Sequence, residues 1–383
     1  MPFSALCAQL AELEAQGLRR QRRVVETPQS ARVRLDGREF LAFCSNDYLG
    51  LAADPRLVQA AQEGGARYGV GAGASHLVLG HGAAHHALEQ ALARFVDLPR
   101  ALLFSSGYMA NIGIVTALVG RDDAVFADKL NHASLNDAAL LSRAQFRRYP
   151  HGDSGALEKL LAASRARRKL VVSDAVFSMD GDIAPVPELL ALCERHDAWL
   201  LLDDAHGFGV LGNGGRGVLA HFGIVSPRVI YMATLGKAAG VSGAFVAAHD
   251  AVIETLIQRA RSYVYTTATP PLLAHALLKS LQLIADEQWR RDRLHKIIHV
   301  LKQELKINQW KLMPSDTAIQ PLVIGTNNAA LAVAQRLAGR GLLVPAIRPP
   351  TVPQGTARLR ISLSAAHSEE DVRLLASALN GLQ

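Results

Sequence analysis

The chain has 383 residues, of which 49% are hydrophobic and 20% charged, so it has apolar material for a large core and length for two domains. No apolar run reaches the ~18 residues of a membrane span, and three scattered cysteines, Cys7, Cys44 and Cys193, exclude a disulfide framework or a paired-thiolate zinc site. The 41 basic and 34 acidic residues leave a net charge of +7. The basic clusters lack interleaved aromatics, so they read as solvated helix faces, and neither nucleic acid nor membrane is an expected partner.

In chain order, residues 1–44 form an N-terminal segment whose basic cluster, Arg19 to Arg23, follows its apolar residues, unlike a secretory signal. A cytoplasmic location is the expectation. Residues 45–290 form a large α/β domain. Within it, seven short apolar stretches alternate with helix-like segments: ALLFSSG (101–107), AVFADK (124–129), QFRRYP (145–150), KLVVSDAVFSM (169–179), AWLLLDDAHG (198–207), VIYMATLGK (229–237) and GAFVAAH (243–249). Runs buried on both faces and separated by helices predict a mostly parallel seven-stranded sheet. After Pro270 and Pro271 a long helical pattern runs through Leu305, and residues 291–383 predict a smaller C-terminal α+β domain.

Ligands of such sheets lie beyond the carboxyl ends of the strands. Those ends carry Ser105 to Gly107, Asp128 to His132, Ser178 to Asp182, Asp203 to Gly207 and Thr234 to Lys237. Two familiar nucleotide motifs fail. The Gly69 to Gly73 run has no preceding strand and the wrong glycine spacing for a dinucleotide fingerprint, and Gly236-Lys237 has Tyr231 where a phosphate loop needs glycine. The histidines His76, His81, His85 and His86 read as helix-surface residues with no carboxylate or thiol at ligand spacing, so no metal site is expected.

Lys237 alone would read as a snorkelling surface lysine. It ends an apolar strand, however, and Asp203, Asp204 and His206 end the strand before it in sequence. A reactive lysine, a carboxylate and a phosphate cradle are what pyridoxal phosphate requires. Ser106, Gly107 and Tyr108 open a helix whose N-terminal N–H groups favour an anion, Thr234 and Ser178 add hydroxyls, His132 can lie flat on a ring, and His206 can donate to its phenolic oxygen. Strand alternation predicts that Asp203, rather than Asp204, faces the ring nitrogen.

These residues sit in longer motifs: SNDYLGL (45–51), LFSSGYMAN (103–111), NHASL (131–135), VFSMDGD (176–182), DDAHGFGVLG (203–212), TLGKAAGVSGA (234–244) and IRPPTVPQGTARLRISL (347–363). Over nearly its whole length the chain resembles the fold-type I pyridoxal-phosphate α-oxoamine synthases. The resemblance implies covalent attachment of the cofactor at Lys237, Asp203 as its pyridine partner, His132 stacked on it, and His206, Ser178, Thr234, Gly107 and Tyr108 as further contacts. It implies a homodimer in which Thr266 and Thr267 reach the neighbour's phosphate, and substrate contacts from Asn46, His132, Thr351 and Arg360, with Arg360 on the amino-acid carboxylate. One arginine of the 19–23 cluster is implied as well, and Arg20 is chosen. The implied reaction is a decarboxylative condensation of L-alanine with a pimeloyl thioester of acyl carrier protein or coenzyme A. Glycine-using members of the family, or a protein that binds the cofactor without turnover, are the alternatives. The glycine-rich loop GVGAGASHLVLG departs from the family in its alanines and in His76.

Overall fold

The computed structural model describes residues 2–382. Two compact units are formed: one takes the stretch up to Tyr48, Met179–Gly181 and the chain from Asp292 on, the other Leu49–Ser178 and Asp182–Arg291.

The larger unit is built on seven strands, β1 (Arg100–Phe104), β2 (Ala124–Asp128), β3 (Gln145–Tyr149), β4 (Lys169–Asp174), β5 (Trp199–Asp203), β6 (Val229–Thr234) and β7 (Ala244–Ala248). Their order in the sheet is β1-β7-β6-β5-β4-β2-β3. The pairs β2/β3, β2/β4, β4/β5 and β5/β6 are parallel, whereas β7 runs antiparallel to both β1 and β6. Six of the strands follow the apolar stretches because both sheet faces are covered there: all five residues of β2 and of β7 are buried, while the edge strand β3 is mostly exposed. Helices α1 (Ala83–Val96), α2 (Gly107–Leu118) and α3 (Ala133–Ser142) follow turns of the chain. Ile114, Val115 and Leu118 of α2 and Leu135 of α3 share one core with Val125, Val172, Leu201, Ile230 and Val246 of the sheet. Each such side chain contributes about 1.5–3 kcal/mol of burial free energy, and together they fix the strand ends relative to the helix starts.

The helical pattern after Pro271 is not one helix. It divides into Pro271–Asp286 and Gln288–Glu304, because Glu287 leaves the helical conformation at φ −102° and ψ 67°. Its carboxylate accepts from both Arg56 and Arg290.

In the smaller unit, Arg32–Leu35 and Arg38–Ala42 form a hairpin that the sequence reading of residues 1–44 does not contain. Its two-residue turn, Asp36-Gly37, has positive φ at both positions, as a tight hairpin requires. A four-stranded antiparallel sheet joins Lys311–Leu312, Ile319–Gly325, Ala357–Ser362 and Ala346–Ile347. The closing helix, Glu369–Asn380, starts from a capping box of Ser368 and Asp371. No helix among the described residues is long and apolar enough to cross a membrane.

Candidate active site

The strand ends β2, β4, β5 and β6 each finish on a polar residue, Asp128, Asp174, Asp203 and Thr234, and parallel register sets Asp174 beside Asp203. The chain then turns sharply. After β6 it reaches Lys237 through a turn closed by Leu235 N to Gly243 O and Gly240 N to Lys237 O, each 2.8 Å. Gly240 has φ +71°, and a Cβ there would come within 2.7 Å of the Leu51–Ala52 backbone, so this turn needs glycine. The Lys237 Nζ lies 3.0 Å from Nε2 of His206, which follows β5.

Asp203 and Asp204 point to opposite sides. Asp203 Oδ2 accepts from Asn111 Nδ2 at 2.8 Å and its Oδ1 from Ala205 N at 3.1 Å. Asp204 Oδ2 instead accepts from Val218 N at 2.7 Å and Tyr231 Oη at 2.8 Å. Burial raises the Asp204 carboxyl to about 7, against the pull of these two donors. Asp204 is thus a structural acid that ties β6 to the helix at Val218–Phe222, while Asp203 faces Asn111 on the other side.

His132 caps α3 and its Nδ1 accepts from Ser134, from the backbone N–H at 3.3 Å and from the hydroxyl at 2.7 Å. That network places the ring proton on Nε2. Burial lowers the His132 pKa, with Asp203 opposing and Lys237 reinforcing the shift, so the ring is neutral and able to stack. Its backbone N–H donates to Asp174 Oδ1 at 3.1 Å. Asp174, buried and beside the Asp203 carboxylate, is pushed well above the usual carboxyl range and retains its proton.

Ser106 caps α2 by accepting from Met109 N at 3.2 Å. A Cβ on Gly107 would come within 2.6 Å of Thr234 Cγ2, so the first turn of α2 and the end of β6 approach as closely as glycine allows. First-turn N–H groups have no intrahelical acceptor, and here they stand beside Thr234, whose methyl faces Gly107 while its hydroxyl donates to Ala205 O at 3.4 Å. This cradle, with an amine at Lys237 and a carboxylate at Asp203, fits a phosphorylated pyridine aldehyde. Tyr108 is 46% exposed and its hydroxyl donates to Asp137 of α3. Ser178 is half-buried in the turn closed by the Val176–Ile183 bridge. Thr266 is half-buried next to Thr267, which bridges to Ser75.

In the smaller unit, two groups of expected residues assemble. Arg360 is buried, and its guanidinium donates to Asn46 Oδ1 at 3.2 Å, Ser362 Oγ at 2.8 Å and Tyr48 Oη at 3.5 Å. Arg20 is exposed and lines a small recess with Arg348 and Thr351. The recess contains a second cation, Arg348, that the sequence reading passes over; its pKa is lowered by burial and by Arg20.

Sequence reasoning also misses Asn111, which is fully buried and donates from Nδ2 to both Asp203 Oδ2 and Ser134 Oγ. Its signal is a lone amide in the otherwise apolar helix GYMANIGIVTAL. The histidine reading needs correction. His81 precedes α1 rather than sharing its surface, and His85 is fully buried, its Nδ1 accepting from Gly82 N and its Nε2 2.8 Å from Thr269 O. A carboxylate does stand beside them: Glu89 Oε2 is 3.8 Å from His81 Nε2.

The model of the aminotransferase class I and II family matches residues 38–379. The 8-amino-7-oxononanoate synthase of Nitrosospira multiformis is 69% identical over 362 residues, covering 94% of this chain and 91% of that protein. The protein of the same name from Nitrosomonas eutropha is 65% identical over 98% of both chains. Among solved structures, serine palmitoyltransferase from Sphingomonas wittichii superposes with a TM-score of 0.93 at 32% identity, over 99% of this chain and 96% of that one. The 8-amino-7-oxononanoate synthase of Francisella tularensis gives 0.77 at 31% identity, over 90% and 97%. The strand ends, the lysine turn and these likenesses agree: the chain belongs to the class I and II aminotransferase family and, within it, to the 8-amino-7-oxononanoate synthases.

Proposed function

We propose that the chain is a pyridoxal-phosphate-dependent acyltransferase that condenses L-alanine with a pimeloyl thioester, of acyl carrier protein or coenzyme A, in biotin biosynthesis. The products are 8-amino-7-oxononanoate, carbon dioxide and the free thiol of the carrier. The observation that carries the reading is the Lys237 amine, 3.0 Å from His206 in a chain 69% identical to a protein of that name.

Lys237, Asp203, His132, His206, Ser178, Thr234 and the α2 N-terminus with Gly107 and Tyr108 would hold the cofactor, with Thr266 reaching the phosphate of a second copy in a homodimer. Pyridoxal phosphate supplies an aldehyde that binds amines covalently and a ring that accepts the electron pair left when a Cα bond breaks. Lys237 would hold the cofactor and, as a free amine, would take the Cα proton of alanine, with His206, 3.0 Å away, positioning that amine. Asp203, held by Asn111 and Ala205, would partner the cofactor's ring nitrogen and favour its protonated form. His132, anchored through Ser134 and Asp174, would stack on the ring. Arg360 receives the alanine carboxylate, a role its planar fork suits, and the Asn46, Ser362 and Tyr48 oxygens that orient it are uncharged. Arg20 and Thr351 contact the acyl substrate.

The test is product analysis with each thioester. Pimeloyl thioester with L-alanine should release carbon dioxide and give the amino-keto acid faster than acetyl or succinyl thioesters with glycine. Faster turnover of a glycine pair overturns the substrate assignment, and absence of product from every pair overturns the enzymatic reading.

A further inference from the structure

A cavity of about 400 Å³ opens against α1, away from Lys237, lined by His76, His81, His86, Glu89, Arg100 and Tyr263 among others. Three of these residues offer one ligand atom each, all within 4.8 Å of one another: His81, His86 and Glu89. His86 and Glu89 are spaced i, i+3 and so share one face of α1, while His81 reaches them from the turn before the helix. We propose that His81, His86 and Glu89 form a binding site for a divalent transition-metal ion of the zinc type.

Two of the three side chains are already oriented by a neighbour. His81 Nδ1 lies 3.1 Å from His76 Nδ1, which turns its Nε2 toward Glu89 Oε2, 3.8 Å away. Glu89 Oε1 accepts from Leu103 N at 2.9 Å, leaving Oε2 directed at the imidazole. Gln90 Nε2, an amide donor, lies 3.0 Å from His86 Nε2, so that nitrogen accepts, and ligation by His86 would displace this bond or the proton on Nδ1. A partner that accepts the other ring N–H, as His76 does for His81, sets ring orientation in metal sites, and its loss costs about 10–100-fold in metal affinity. His76 is itself held by stacking on Tyr263, ring centroids 4.9 Å apart and 12° from parallel.

The donor chemistry selects the ion. Two imidazoles and one carboxylate form the three-ligand set of an open zinc site, the fourth position being left for water. Metal–ligand bonds of about 2.0–2.2 Å set tetrahedral ligand atoms about 3.3–3.5 Å apart, so closure requires side-chain movements of about 1 Å. Arg100 on the cavity wall would oppose a cation, but it is paired with Glu254 at 3.0 Å.

The experiment uses the cofactor-loaded enzyme and zinc chloride alone. Equilibrium dialysis with metal analysis should find one zinc ion per chain, and cobalt substitution should give the intense visible bands of a low-coordinate site. His86→Ala, at an exposed position, and Glu89→Gln, which keeps an acceptor for Leu103, should each abolish that stoichiometric zinc. His76→Ala should weaken it about 10–100-fold while leaving the ligands in place. Circular dichroism and cofactor absorbance establish that each variant is folded. Zinc uptake that is absent in the parent enzyme, or unchanged in both His86→Ala and Glu89→Gln, overturns the proposal.

Discussion

Asp203→Asn and Asp204→Asn remove one charge each from adjacent positions, and the structure assigns them opposite consequences. Asp204 accepts from Val218 N and Tyr231 Oη through the same oxygen, so an asparagine carbonyl at that place keeps both bonds. What changes is the charge. Burial moves the Asp204 carboxyl from 3.8 to about 7. The sign follows from linkage: a raised carboxyl pKa gives stability that is complete below the unfolded value and lost as pH rises through the folded one. Between pH 5 and pH 8 the folded group loses about 2 units of the shift, on the order of 3 kcal/mol at 1.36 kcal/mol per unit. Asp204→Asn has no such group, so its melting temperature should fall less between pH 5 and 8 than the parent's, with turnover changed by less than about tenfold. Asp203→Asn should keep the parent's pH slope but melt lower, because its two oxygens accept from different donors and an amide keeps only one of those bonds, and it should lose about 10²–10³ in kcat, the range for removing one preorganised electrostatic partner of a reacting centre. The assays are thermal melts at pH 5, 6, 7 and 8 and steady-state turnover at one pH. A parent-like pH slope in Asp204→Asn refutes the buried-acid argument, and greater loss of turnover in Asp204→Asn than in Asp203→Asn refutes the assignment of sides.

Borohydride reduction and peptide mapping should place the pyridoxyl group on Lys237, and a label on Lys129 would show that the wrong lysine has been chosen. Arg360→Ala should raise the KM for L-alanine by roughly tenfold to a hundredfold, from ~1.5–3 kcal/mol for a charge-assisted bond, with a smaller effect on the thioester KM; an unchanged alanine KM assigns the carboxylate to another residue. Gly107→Ala should lower cofactor affinity, read as faster loss of cofactor absorbance on dialysis, because its Cβ falls 2.6 Å from Thr234 Cγ2. Equal retention would mean that α2 does not form the cradle. His151, raised to about 10 by its bonds to Asp128 and then Asp182, contributes stability that is complete below pH 6.5 and lost as pH rises through 10. Melting temperature should therefore fall between pH 8 and 10.5 in the parent and more weakly in His151→Gln; parallel curves would remove His151 as the cause.

Most elements legible in the sequence are those whose burial is nearly complete. Six of the seven strands of the larger unit announce themselves because both faces of the sheet are covered there, so apolar runs such as AVFAD and AFVAA need no alternation to be read, whereas the edge strand QFRRY is mostly exposed. The hairpin at Arg32–Ala42 is half-exposed and rich in arginine, and its strongest signal is the Asp36-Gly37 turn. The break at Glu287 lies in a run with no proline or glycine; it coincides with a long-range pairing of Glu287 with Arg56, 231 positions away, which no local window contains. The site divides along the same line. Lys237, Asp203, His206 and Thr234 are visible because each terminates or closely follows an apolar run. Asn111 and Asp174 are obscured because their contacts depend on partners brought in by other elements.

That division explains how a sheet edge crowded with acids can present one usable carboxylate. Asp128, Asp174 and Asp203 end three strands of one sheet, and like charges so placed would oppose one another. The structure resolves the crowding in three different ways. Asp128 is matched by His151, whose imidazolium lies 3.1 Å from Oδ1 and is favoured to pH values near 10. Asp174 keeps its proton, and spends its acceptor on the His132 backbone. Asp203 is held by an amide and a backbone N–H, donors that fix its orientation without carrying a charge of their own. Matching the first with a cation and the second with a proton relieves the like-charge crowding around the third, which under the proposed function would partner the ring nitrogen. Lys237, set 3.0 Å from His206 beyond the next strand, then acts in a field that this arrangement has already sorted.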